Sequence, residues 1–108
     1  GKNVNVEPLY RRALAIKEKT FGPEHPDVAT TLNNLATVYQ SAGRYGEAEQ
    51  LFQRSLSVFE KAFGLEHPSV ATSLNNLSAL YATQGKHREA ITMRERANAI
   101  RAKHNSSK

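Results

Sequence analysis

Few side chains in this sequence could do chemistry, and their spacing argues against most of it. Four histidines stand at 25, 67, 87 and 104, and no cysteine is present, which removes thiol nucleophiles, disulfides and thiolate zinc sites together. His25 and His67 share one context, Glu-His-Pro, so stacked loops could bring them to a common metal or proton relay. Each loop offers one imidazole and one neighbouring carboxylate, Glu24 or Glu66, which falls short of a ligand set. A residue that caps a helix opened by the following proline accounts for both histidines, and no metal ligand is assigned. His87 and His104 lie among Lys and Arg, with neither an orienting acid nor a nucleophile beside them. Glu47 and Glu49 fall where a helix starts and complement its dipole, and no carboxylate pair is placed to flank a cleft. The glycines come singly, so no loop cradles a phosphate, and no serine stands in Gly-x-Ser-x-Gly. Asn105-Ser106-Ser107 spells a glycosylation acceptor, which we read as chance. The expectation is a protein that is not an enzyme and uses no cofactor.

The chain has 108 residues, 39% of them hydrophobic and 23% charged, enough for one small domain or a few units of a repeat. Tryptophan is absent and only eight residues are Phe or Tyr, so Leu, Val, Ile and Ala must build the core. No apolar run is long enough to span a bilayer and no secretory pattern opens the chain; a cytoplasmic protein away from membranes is expected. The net charge of +5 suggests nucleic acid until it is located. Residues 1–85 carry eight Lys/Arg and eight Asp/Glu, while residues 86–108 carry seven Lys/Arg against Glu89 and Glu95. The excess belongs to one C-terminal element.

An internal repeat sets the architecture. Residues 18–35, EKTFGPEHPDVATTLNNL, recur 42 positions later as EKAFGLEHPSVATSLNNL, with fourteen of eighteen residues identical. The register continues through Tyr39/Tyr81, Gly43/Gly85, Glu47/Glu89, Ala48/Ala90 and Arg54/Arg96. It also extends backward, matching Gly1, Glu7, Leu9, Arg12 and Leu14 to Gly43, Glu49, Leu51, Arg54 and Leu56. The chain is about two and a half copies of one unit. Within it Val28, Leu32, Leu35 and Tyr39 form one helical stripe, as do Val70, Leu74, Leu77 and Tyr81. Phe52, Leu56 and Phe59 mark a second helix. Pro26 and Pro68 suit first helical turns, Gly43 and Gly85 close helices, and Gly64 is placed to end one in the left-handed conformation. Five helices are predicted, near 5–20, 26–42, 45–63, 68–84 and 87–103, with a polar tail at 104–108 and no strand.

Leu32, Leu35, Ala36, Tyr39, Gly43, Tyr45, Ala48 and Phe52, with a small Ser55, follow a large-and-small order that resembles the tetratricopeptide repeat. Leu74, Leu77, Ser78, Tyr81, Gly85 and Ala90 repeat it. The unit is longer than the common one of about 34 residues. That length, with Gly-x-Glu-His-Pro-x-Val-Ala and Leu-Asn-Asn-Leu, is similar to the repeats of kinesin light chains. The resemblance implies an all-α, right-handed α-solenoid of antiparallel helix pairs over residues 1–103. It also implies a groove, lined by the first helix of each pair, that receives extended peptides.

Two rows would line that groove: Thr30, Asn34, Thr37 and Ser41, and Thr72, Asn76, Ala79 and Thr83, each about 200° from the core stripe. Asn33 and Asn75 flank them. The rows are small and uncharged, and asparagine amides can pair with a peptide's N–H and C=O together; bridging between neighbouring helices is the other use for them, and the one favoured for Asn33 and Asn75. Repeats that clamp a terminal carboxylate carry Lys or Arg on inner-face positions, which are lacking here, so acidic tails are not expected as ligands. The leading expectation is an interaction module for a protein or peptide partner. The others are a structural spacer or oligomerisation segment, and an anionic-surface or nucleic-acid binder using Arg88, Arg94, Arg101 and Lys103. The last is disfavoured because no aromatic residue interleaves those cations. Arg94, Asn98 and Arg101 replace Phe52, Leu56 and Phe59, as a solvated cap requires, so the array is expected to end at the fifth helix. Gly1 aligns with the turn at Gly43, so the first helix lacks an inner partner. Its Val6, Leu9, Ala13 and Ile16 are expected to form an open apolar edge and to support self-association.

Overall fold

The computed structural model describes residues 2–106. Among them the regular structure is five helices: α1 (Lys2–Phe21), α2 (Pro26–Ser41), α3 (Tyr45–Phe63), α4 (Pro68–Thr83) and α5 (His87–Ser106). α2 and α4 end one residue earlier than the sequence suggests, and the terminal helices run longer. α5 continues through residues 104–106, part of the stretch read as a tail, because nothing after Gly85 breaks a helix and Ala, Lys and Arg favour one. α1 begins at Lys2, so Pro8 lies in the helix interior.

The inner helices α2 and α4 start and stop by the same devices. His25 and His67 are their N-caps, in extended conformation, and each Nδ1 accepts a bond of 3.0 Å from the backbone N–H two residues on, Asp27 or Ser69. The imidazoles stack on Phe21 and Phe63 at ring separations of 4.5 and 4.3 Å. The helices close in Schellman turns: Gly43, at φ +79°, donates to Gln40 O while Arg44 donates to Tyr39 O, and Gly85 and Lys86 repeat the pattern on Ala82 and Tyr81. Gly64 also has positive φ, at +91°, but with ψ 166° it lies outside the left-handed helical region, in a conformation open mainly to glycine.

Each helix packs against the next in sequence, α1 on α2 through α4 on α5. The shortest dimension is 19 Å, about two helix diameters. One core cluster joins Leu35, Ala36 and Tyr39 to Ala48 and Phe52, and onward to Leu77, Leu80, Tyr81 and Ala90, with Tyr10 and Leu14 of α1 packed on it. A second lies toward the other helix ends: Ala29, Val58, Phe59, Val70, Ala71, Leu74, Ala97 and Ile100. Both predicted stripes of the inner helices are buried, and so are Ala29, Val38, Ala71 and Leu80 beside them. The apolar face is wider than one stripe because α2 and α4 are each flanked by two outer helices.

Polar bonds cross from unit to unit in a repeated ladder. Tyr39 donates to Glu7 at 2.8 Å and Tyr81 to Glu49 at 2.9 Å. Arg54 pairs with Glu18, and Arg96 with Glu60. Lys61 pairs with Glu24, and Lys103 with Glu66. Arg44 reaches Glu7 as Lys86 reaches Glu49. In every rung the carboxylate belongs to the earlier unit and the cation or phenol to the later one.

Candidate functional site

The rows proposed to line a groove face solvent on the inner helices. Thr30, Asn34, Thr37, Ser41, Thr72, Ala79 and Thr83 are exposed, while Asn33, Asn75 and Asn76 are half-buried. The threonine hydroxyls are turned inward. Thr30, Thr37, Thr72 and Thr83 each donate to the carbonyl four residues back in their own helix, at 2.9–3.3 Å. The four asparagine amides make no intramolecular hydrogen bond among the described residues. Asn33 Oδ1 is buried and has no partner. The helix-bridging role favoured for Asn33 and Asn75 is therefore not what the structure contains.

The face is nearly neutral, since Asp27 is the one charged residue on α2 and α4. Thr72 also borders a cleft of about 420 Å³ with Pro68, Ile100, Arg101, His104 and Asn105. No three of His, Asp and Glu among the described residues come together as a metal would need.

The N-terminal edge is open on one side. Leu9 and Ile16 are 63% and 58% exposed, while Val6 and Ala13 are half-buried. Their equivalents one unit on are Ala48, Leu51, Ser55 and Val58; two units on they are Ala90, Met93, Ala97 and Ile100. Those later sets are buried or half-buried, because an inner helix precedes α3 and α5 and covers them. At the other end Arg94, Asn98 and Arg101 are exposed, where Phe52 and Phe59 are buried and Leu56 half-buried.

The basic segment is less free than its charge suggests. Of its seven cations, Lys86, Arg96 and Lys103 are paired with Glu49, Glu60 and Glu66. No helix among the described residues is long and apolar enough to cross a membrane.

A model of the tetratricopeptide repeat matches residues 7–61 and again 28–103. The chain belongs to the tetratricopeptide repeat family. Its repeats are of the kinesin-light-chain-like type and its fold is an all-α, right-handed solenoid of antiparallel helix pairs. It is similar to the solved BtubC (BKLC) from P. vanneervenii, with a TM-score of 0.89 and 32% identity over 95% of this chain and 41% of that one. Nearly identical TPR-like repeats of a Podosopora anserina kinesin light chain superpose with a TM-score of 0.86 and 32% identity, covering 96% of this chain and 49% of theirs. Nephrocystin-3 of Xenopus laevis and of Xenopus tropicalis is 46% identical over 44 residues, 41% of this chain and 3% of each relative. The tetratricopeptide chain thus spans under half of these solved structures and a small part of the curated relatives. Its fold generally mediates protein–protein interaction.

Sequence reasoning missed two features of this tetratricopeptide array. One is Asn33, whose buried oxygen depends on how neighbouring side chains close over it. The other is the ladder, whose signal was present: Glu18/Glu60 and Glu24/Glu66 recur with the same period as Arg12/Arg54/Arg96 and Lys19/Lys61/Lys103.

Proposed function

We propose that the chain is a protein-interaction module that holds an extended, uncharged peptide segment across the exposed faces of α2 and α4. Asn33, Asn34, Asn75 and Asn76 supply the polar contacts, and Thr30, Thr37, Ser41, Thr72, Ala79 and Thr83 form a close-approach surface. The observation that carries this reading is that all four amides lack an intramolecular partner, one with its oxygen buried. An unpaired amide on an exposed, nearly neutral face keeps its donor and acceptor available to a bound backbone. An asparagine can also donate from its amide nitrogen, so one side chain engages both edges of an extended backbone.

The test is peptide-array binding at low salt and at about 0.5 M salt, where surface ion pairs are screened. Retained binding is expected, since this face is neutral. For a peptide mapped this way, Asn34→Ala with Asn76→Ala should weaken binding about tenfold or more, from a loss of 1–3 kcal/mol per amide pair, with helicity intact by circular dichroism. Unchanged affinity would place the site elsewhere. Duplex DNA retained on filters at physiological salt would favour α5 instead.

A further inference from the structure

The two loops that open the inner helices are built alike and differ at one charged position. In both, the imidazole accepts at Nδ1 from the backbone N–H two residues on, Asp27 for His25 and Ser69 for His67. Both rings are stacked, on Phe21 and Phe63. Only an imidazole with an unprotonated Nδ1 can accept that bond. A proton added there turns the acceptor into a donor aimed at a donor, and it places positive charge on the positive end of a helix dipole. The charged surroundings of the two rings differ. Beside His25, Asp27 Oδ1 lies 4.0 Å from Nδ1, and Glu24 of the same loop is paired with Lys61 of α3. Beside His67, Ser69 takes the position of Asp27, and Glu66 is paired with Lys103 of α5. Arg101 and His104 of α5 border the cleft next to Pro68. On the outer helices that lead into the loops, Glu18 and Glu60 are held by Arg54 and Arg96, and Lys17 and Lys19 stand in the last two turns of α1.

We propose that the Glu-His-Pro loops form an acid-sensitive device that acts on one inner helix and spares the other: proton uptake by His67 opens the first turn of α4, while His25 charges beside Asp27 with the first turn of α2 still closed. The difference is local pairing. A charged His25 has the Asp27 carboxylate within ion-pair distance, and that attraction offsets the lost bond. A charged His67 meets a serine hydroxyl and, beyond it, the cations of α5, so nothing replaces the cap. The ring stack is common to both loops and cancels in the comparison. The cap of α4 is present while the imidazole is neutral and is lost as pH falls through the range where an ordinary imidazole charges, about pH 6.5. Thr72, Asn75 and Asn76 follow that cap within about two turns. Acid therefore loosens the α4 half of the inner face before the α2 half. The inference concerns the helix starts alone, so it stands whether or not that face holds a peptide.

The test is amide-exchange NMR of the whole chain from about pH 8 to about pH 5, a window that brackets imidazole charging and stops above the carboxylate range. The reporters are the first-turn amides: Val70 and Ala71, which donate to His67 O, and Val28 and Ala29, which donate to His25 O. Val70 and Ala71 are expected to lose about fivefold or more of their protection, the worth of one cap, and Val28 and Ala29 clearly less. His67→Asn, which caps without titrating, should remove the loss at Val70 and Ala71. A loss that survives this substitution would place the effect on Glu66 or α5 and overturn the proposal. The double change Asp27→Ser with Ser69→Asp should pass the sensitivity from α4 to α2. Both histidines remain in that variant, so general destabilisation does not reproduce the exchange. Protection at Val70 and Ala71 that is constant across the window would overturn the proposal, and so would equal losses at both helix starts that the swap leaves unchanged.

Discussion

Tyr81 shows how much a single rung of the ladder does. Its ring lies in the core, its hydroxyl donates to Glu49 at 2.9 Å and accepts from Gln53 at 3.2 Å, and Lys86 approaches the ring face. Burial above all holds its pKa above the ordinary 10.0, and the neighbouring Glu49 adds to the rise. The folded state therefore keeps the phenolic proton after the unfolded chain has lost it. Stability is fully present below about pH 10, and it falls as pH rises through the folded value. Urea denaturation between neutral and strongly alkaline pH should show that loss, and Tyr81→Phe should flatten it while costing about 1 kcal/mol at neutral pH for the lost bonds. An identical alkaline slope in Tyr81→Phe would assign the effect to another group. Ser73 makes the opposite case. Its hydroxyl is fully buried with no partner, whereas Ser55 donates to Ala29 O at 3.0 Å. Ser73→Ala should leave the denaturation midpoint unchanged or raise it, and Ser55→Ala should lower stability by about 1 kcal/mol. The core residues were legible because apolar spacing reports burial. The pairing of Ser55 and the isolation of Ser73 were not, since both are set by which carbonyl of the adjacent helix lies within reach.

At the scale of a helix, the Glu-His-Pro loops resolve into one device. The histidine satisfies a backbone N–H that would otherwise be orphaned, and the phenylalanine four residues earlier holds the ring in place. His67→Ala should cost about 1 kcal/mol of stability and His67→Asn should recover most of it, because asparagine is among the better caps. Equal loss in both variants would mean that the Phe63 stack, not the cap, carries the contribution. Helix starts and stops inside the array were readable to within a residue because Pro and Gly mark them. The start of α1 and the end of α5 were not: α1 begins at the register of Arg44, one residue before α3 does, and Ser106 stands where Gly64 stops α3.

The whole molecule is a row of nearest-neighbour contacts, so protection should grade along it. α1 packs chiefly on α2 and exposes Leu9 and Ile16, whereas α4 lies between α3 and α5. Hydrogen exchange should open α1 first and α4 last; uniform protection across the five helices would contradict a modular chain. The repeat was legible from its 42-residue period and the helices from their apolar stripes, while the solenoid followed from the resemblance to tetratricopeptide repeats. The ladder was harder to see, because its partners lie 32–37 residues apart, a separation that follows from how units stack and not from any pattern within one.

That separation has a consequence for how such a chain can grow by recombination. Every rung joins residues fewer than 42 apart, and each unit carries both an acid and its base. A gene segment one period long can thus be copied from any starting codon, and the lengthened array regains a complete set of bonds at the new seam. An insertion that is not a whole number of periods puts the acids out of register with their bases. The cross-links act as a reading frame for the protein itself.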